Sequence, residues 1–126
     1  MYLEGELDEN AYVFNFVTLK KAMKVICDKL DHRMLLPTNN SLLDVQSDAT
    51  GYTIRYKHKT YVFPREDVVQ LPIANTTAEN LATWISSELE AVLKSYGASH
   101  LSVLEIEVEE TFGQSAMCRK ALGRAA

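Results

Sequence analysis

Leu104-Glu105-Ile106-Glu107-Val108-Glu109-Glu110-Thr111 alternates apolar and acidic residues with a period of two, the pattern of a half-buried strand. The same phase puts Glu110 on the face of Leu104, Ile106 and Val108, while Glu105, Glu107 and Glu109 point the other way. An unpaired carboxylate on an apolar face is costly, so Glu110 should meet a buried cation or a ligand that offers paired N–H donors. Otherwise the strand ends or bulges at Glu110 and leaves it in water.

Upstream, Thr76-Thr77-Ala78-Glu79 reads as a Ser/Thr-x-x-Glu capping box before Leu81, Ala82, Ile85, Leu89, Val92, Leu93 and Tyr96, predicting a helix closed by Gly97. An earlier apolar stripe, Leu19, Ala22, Met23, Ile26, Cys27 and Leu30, predicts a first helix over about 18–31 with Thr18 as N-cap. Asp31-His32-Arg33 and then Pro37 mark its end. Leu3, Gly5 and Leu7 alternate with Glu4 and Glu6 before Asp8-Glu9-Asn10, and the run Tyr12-Val13-Phe14-Asn15-Phe16 comes next, which suggests an opening hairpin. Between the helices, Tyr52, Ile54 and Tyr56 and then Tyr61, Val62 and Phe63 predict a second hairpin turning at Lys57-His58-Lys59-Thr60. Pro64 and Pro72 bracket the segment after that hairpin. Beyond Phe112 no period is visible, and a short frayed tail is expected. The sum is an α+β layer, with antiparallel strands from both ends of the chain and two helices on one face.

A chain of 126 residues, 47% hydrophobic and 24% charged, has the composition of one ordinary folded domain. Its 13 Lys and Arg against 17 Asp and Glu give a net charge of −4, and the pI is near 5.3. Such a balance creates no field that would collect phosphates, so nucleic acid and anionic membranes are poor candidate partners. No apolar run spans a bilayer and Met1-Tyr2-Leu3-Glu4 does not open like a signal peptide, so the expected compartment is the cytoplasm. Cys27 and Cys118 form neither a metal spacing nor a disulfide framework.

Asp31-His32 is a further candidate for chemistry. A carboxylate beside an imidazole fixes its tautomer and stabilises its charged form, although the pair also suits a helix C-terminus. His58 in a predicted turn and His100 before the last strand do not form the closely spaced set that zinc requires. Thr76 and Thr77 are capping residues whose neighbouring amides can also hold the polar edge of a ligand.

These pieces, in this order, resemble the 6-pyruvoyl tetrahydropterin synthase and 6-carboxytetrahydropterin synthase family. The resemblance runs through Gly5-Glu6-Leu7-Asp8, Val13-Phe14-Asn15-Phe16 with Leu19-Lys20, Leu30-Asp31-His32, Thr77-Ala78-Glu79-Asn80-Leu81 and Val108-Glu109-Glu110-Thr111. It implies the T-fold, in which an antiparallel sheet carries two helices on one side and subunits join their sheets into a barrel, typically a hexamer made of two trimers. It also implies a lyase acting on 7,8-dihydroneopterin triphosphate. The product would be the 6-carboxy compound on the route to queuosine, which is favoured, or the 6-pyruvoyl compound on the route to biopterin.

By resemblance, Glu110 is the pterin anchor, Asp31 and His32 are the proton-transferring pair, and Thr77 and Ala78 hold the pterin edge. The family's zinc would bind three histidines in and before the first strand, and its catalytic cysteine lies in the same stretch. None of these four has a counterpart here, so no metal ligand is assigned. Asn15 stands where the family usually has Asp. The expected organisation is a single T-fold domain over 1–126, shortened at its N-terminus because Met1 falls in mid-strand by pattern, with a hairpin-containing insert at about 39–72. The alternative expectation is a catalytically inactive, pterin-binding, oligomeric paralogue.

Overall fold

The structure, a computed structural model, describes residues 1–7, 9 and 12–123, in two compact units. The first comprises residues 1–27 and 77–126, the second residues 28–76.

In the first unit, β1 (Tyr2–Gly5), β7 (Leu101–Thr111) and β8 (Gln114–Ala121) form an antiparallel sheet in the order β1-β7-β8. β7 is therefore the central strand, and its inward residues Leu101, Leu104 and Ile106 are almost fully buried. Helix α2 (Ala78–Ser95) packs on β7 and β8, burying Ala78, Ala82, Ile85, Leu89 and Leu93 at three- and four-residue steps. Ser86 joins this face at 1% exposure, and its hydroxyl finds no hydrogen-bond partner among the described residues. β1 approaches the start of β7 so closely that a Cβ on Gly5 would meet the His100 carbonyl oxygen at 2.7 Å, so the position needs a glycine.

Three expectations for this unit are corrected. The Tyr12–Phe16 run forms no strand and no hairpin with residues 3–7. β1 pairs with β7, and Phe16 opens helix α1 (Phe16–Leu30). The cap is Asn15 rather than Thr18, because the Asn15 Oδ1 accepts from the amides of Val17 (3.0 Å) and Thr18 (3.1 Å). The expected turn at Asp8-Glu9-Asn10 falls partly outside the described residues. The expected frayed tail is instead β8, hydrogen-bonded along β7 from Val103↔Ala121 to Thr111↔Gln114. Its residues are mostly small or polar, so periodicity alone did not reveal it; the pairing with β7 supplies the order.

The second unit holds an antiparallel sheet of β3 (Asp44–Ser47), β4 (Gly51–Tyr56) and β5 (Lys59–Pro64), and a parallel pair, β2 (Met34–Pro37) with β6 (Val68–Leu71). That parallel pair departs from an all-antiparallel reading; its strands are separated by the whole β3–β5 meander, as a parallel crossover requires. Leu36, Tyr52, Ile54 and Val68 form the core, flanked by Leu43, Val45 and Phe63. The predicted hairpin is β4–β5, but its turn is only Lys57-His58, since Tyr56 pairs with Lys59. Lys57 has φ +54°, a left-handed conformation that two-residue hairpins demand and lysine adopts at a cost. The β3–β4 turn is built on Asp48, whose carboxylate accepts from the Thr50 hydroxyl and from the amides of Thr50 and Gly51.

In the first unit, Glu90 of α2 pairs with Lys94 at 3.3 Å and with Lys120 of β8. The Lys120 contact first, and then Lys94, hold its carboxyl below the usual range. The pair therefore stabilises the fold at neutral pH, and its contribution fades as pH falls through the lowered pKa. Glu90→Gln should cost about 0.5–1 kcal/mol at pH 7 in thermal melts, and the difference from the parent chain should shrink as the pH falls below the ordinary carboxylate range.

Candidate functional site

The alternation of β7 does not run to its end. Glu109 pairs with Ser115 and Thr111 with Gln114, so Glu110 is the extra residue of a β-bulge. It is exposed rather than packed with Leu104, Ile106 and Val108, and this is the solvated alternative left open by the sequence. The bulge re-aims its carboxylate without burying it.

The other three glutamates of β7 are engaged. Glu105 pairs with Arg119, Glu107 accepts from the Ser115 hydroxyl at 2.6 Å, and Glu109 accepts from the Gly113 amide at 3.2 Å. Among the described residues Glu110 alone of the four has no hydrogen bond or ion pair, leaving both carboxylate oxygens free for a ligand.

Thr77 is the N-cap of α2: its backbone is extended and its hydroxyl accepts from the Asn80 amide at 3.2 Å. The capping box predicted from Thr76 to Glu79 is thus shifted by one residue. Asn80, not Glu79, lies three residues after the cap, and Ala78 is the first helical residue, buried at 7% exposure. The helix start retains amides without intrahelical acceptors, together with the positive end of the helix dipole.

Glu110 and Thr77 both belong to the first unit. α2 has 18 residues and is about 27 Å long, and a short turn through Gly97 (φ +69°) reverses the chain into β7. The nine steps from Leu101 to Glu110 extend about 30 Å back along the helix. Topology therefore carries Glu110 to the end of the unit where α2 begins.

Asp31 and His32 lie in the second unit, directly after α1. The His32 Nδ1 is 3.0 Å from the Asp31 Oδ1, and the imidazole is 92% exposed. His32 has φ +55°, the left-handed conformation that ends many helices and that glycine adopts most cheaply. His58 sits in the β4–β5 turn, and His100 bonds through Nε2 to the Val13 carbonyl oxygen. Among the described residues no group of three or more His, Cys, Asp or Glu could hold a metal ion. The described residues therefore do not fit the zinc that the resemblance implies. Cys27 is exposed and Cys118 half-buried, and both are free thiols. No helix of the described residues is long and apolar enough to cross a membrane.

A profile of the 6-pyruvoyl tetrahydropterin synthase family matches residues 1–121. This chain belongs to the 6-pyruvoyl tetrahydropterin synthase family. A Methanocaldococcus jannaschii protein, provisionally named 6-carboxy-5,6,7,8-tetrahydropterin synthase, is 41% identical over 112 residues, covering 88% of this chain and 68% of that protein. A Pyrococcus horikoshii protein of the same provisional name is 32% identical over 87 residues, which cover 69% of this chain and 50% of that one. The chain thus spans between half and about two-thirds of these relatives. A crystal structure of 6-pyruvoyl tetrahydropterin synthase from Plasmodium vivax and a solved structure of the Plasmodium falciparum protein superpose with TM-scores of 0.87 and 0.84, at 27% and 29% identity. Both matches cover 95% of this chain and 76% of the other. The fold is accordingly the family's T-fold, and the family is one of pterin-metabolising synthases.

Left-handed geometry at His32 separates a stability cost from a functional use. His32→Gly removes the left-handed backbone strain and only a solvent-exposed contact with Asp31, so the variant should be about 0.5–1 kcal/mol more stable in denaturant unfolding. A loss of stability would contradict the strained-cap account.

Proposed function

We propose that this chain acts on the pterin ring and side chain of 7,8-dihydroneopterin triphosphate as a tetrahydropterin synthase of the 6-carboxy type. The free carboxylate of Glu110 carries this reading. Two oxygens in one plane match the 2-amino group and the adjacent ring N–H of a pterin, and a bidentate, charge-assisted pair fixes orientation as well as affinity. The start of α2 at Thr77 and Ala78 supports the same reading, because amide donors without intrahelical acceptors there suit the polar edge of the bicycle. The names of the M. jannaschii and P. horikoshii relatives favour the 6-carboxy product over the 6-pyruvoyl one.

Asp31 and His32 take the proton-transfer role. With Nδ1–H donating to Asp31, Nε2 is left as the base that takes a proton from the substrate side chain. An imidazole this exposed gains nothing for the fold where it stands, and its use requires a substrate to cover it.

The working form is a homo-oligomer, a hexamer of two trimers by resemblance, in which sheets join edge to edge. Support comes from β1 and β8, which edge a three-stranded sheet and present unpaired backbone groups along Tyr2–Gly5 and Gln114–Ala121. Tyr2, Leu7 and Met117 are large apolar side chains exposed in the same unit.

Calorimetry with neopterin tests the anchor. Glu110→Gln keeps the shape but loses the charge and one acceptor, and it should weaken binding about tenfold to a hundredfold. Unchanged affinity would remove Glu110 from the site. Light scattering at micromolar concentration tests the assembly: the mass should be a multiple of the 14.2 kDa protomer, and a stable monomer would overturn it.

A further inference from the structure

Phe112 is 100% exposed, the most exposed large apolar side chain among the described residues. It occupies the tip of the β7–β8 hairpin, where turn chemistry favours Gly, Asn and Asp and where an aromatic ring gains nothing for the fold. The tip is nevertheless held in place. Thr111 pairs with Gln114 across the turn, Gly113 takes φ +76°, and the Gly113 amide donates to the Glu109 carboxylate at 3.2 Å. The ring therefore stands on a braced support rather than on a loose loop, and ordering it for a ligand costs little beyond its own rotamers.

Two residues before it is Glu110, freed by the bulge and without a partner among the described residues. Two residues of chain span at most about 7 Å, so the Glu110 and Phe112 side chains leave the backbone close enough together to reach one flat ligand. A carboxylate that grips the edge of a flat heteroaromatic ring and a phenyl group this close along the chain are the two halves of a common recognition device: the charge sets the in-plane orientation and the ring covers a face.

We propose that Phe112 is a pterin-binding residue, its ring stacking on the bicycle whose edge Glu110 holds. This deepens the reading of Glu110 as the anchor and rests on it. Phe112 supplies affinity and excludes water from one face of the ring, and it discriminates flat conjugated ligands from saturated ones of the same hydrogen-bonding pattern. The residue takes no part in proton transfer.

The test is neopterin binding to the intact chain, by calorimetry and by fluorescence of the pterin, for the parent, Phe112→Ala, Phe112→Trp and Glu110→Gln. Phe112→Ala should bind about 5- to 30-fold more weakly, the range expected for loss of one stacked aromatic. Phe112→Trp should bind within about threefold of the parent and quench the pterin fluorescence further, as an indole stacked on the ring would. A simple loss of packing would not produce that signal. If Glu110→Gln weakens binding while Phe112→Ala binds like the parent, the anchor stands and the stacking role falls. If neither variant differs from the parent, or if the parent does not bind neopterin, the anchor reading falls and takes the stacking role with it. If Phe112→Ala loses affinity only together with oligomer mass in light scattering, the ring belongs in a contact with a second copy of the chain, and the proposal is overturned.

Discussion

The first unit depends on β7 having partners on both edges. A four-residue β1 has too few backbone bonds to persist alone, and β8 has few large apolar residues with which to hold itself in place. Each is ordered by pairing with the one strand that buries Leu101, Leu104 and Ile106 beneath α2. Burial of these three side chains and of the facing Ala82, Ile85, Leu89 and Leu93 is the main source of stability there, at about 25 cal/mol for each Å² of apolar surface removed from water. Backbone pairing transmits that stability sideways to the edges.

The same strand sets the limit of regular structure. Side chains on a strand alternate strictly, so a glutamate in phase with Leu104, Ile106 and Val108 could not remain in register without desolvating its charge. The bulge resolves the conflict by leaving one residue unpaired and turning it to solvent. What the fold gives up in ladder hydrogen bonds at that point is offset by two braces: Glu107 to Ser115 before the bulge and Glu109 to Gly113 across it.

Much of this was legible in the sequence. The period of two in residues 104–108 and the three- and four-residue steps of α2 are strong signals because each burial depends on local spacing. The Tyr12–Phe16 run has the apolar content of a strand, but the Asn15 side chain offers its oxygen to two amides and commits the chain to helix. β8 and the parallel pairing of Leu35 with Val69 were invisible for a different reason. Their order comes from partners distant in sequence, and no local pattern records the partner. For the site, residue types were legible, but the state of Glu110 was not: one strand phase is compatible with burial, termination or a bulge, and only the register with Ser115 and Gln114 distinguishes them.

Each candidate side chain stands at the end of a secondary-structure element, which follows from backbone chemistry. His32 comes directly after α1, Thr77 and Ala78 open α2, and Glu110 interrupts β7 at its end. At each of these points the regular hydrogen-bonding pattern stops, so backbone donors or acceptors are released and side chains leave the packed face. In mid-element the same carboxylate would be drawn into a cross-strand pair, as Glu105 is with Arg119, and the same hydroxyl would bond back to its own helix, as Thr83 does to the Glu79 carbonyl oxygen. A polar ligand can compete only for groups that the fold has not already satisfied. The ends of α1, α2 and β7 are where this sequence leaves such groups, supported by elements rigid enough to hold them in place.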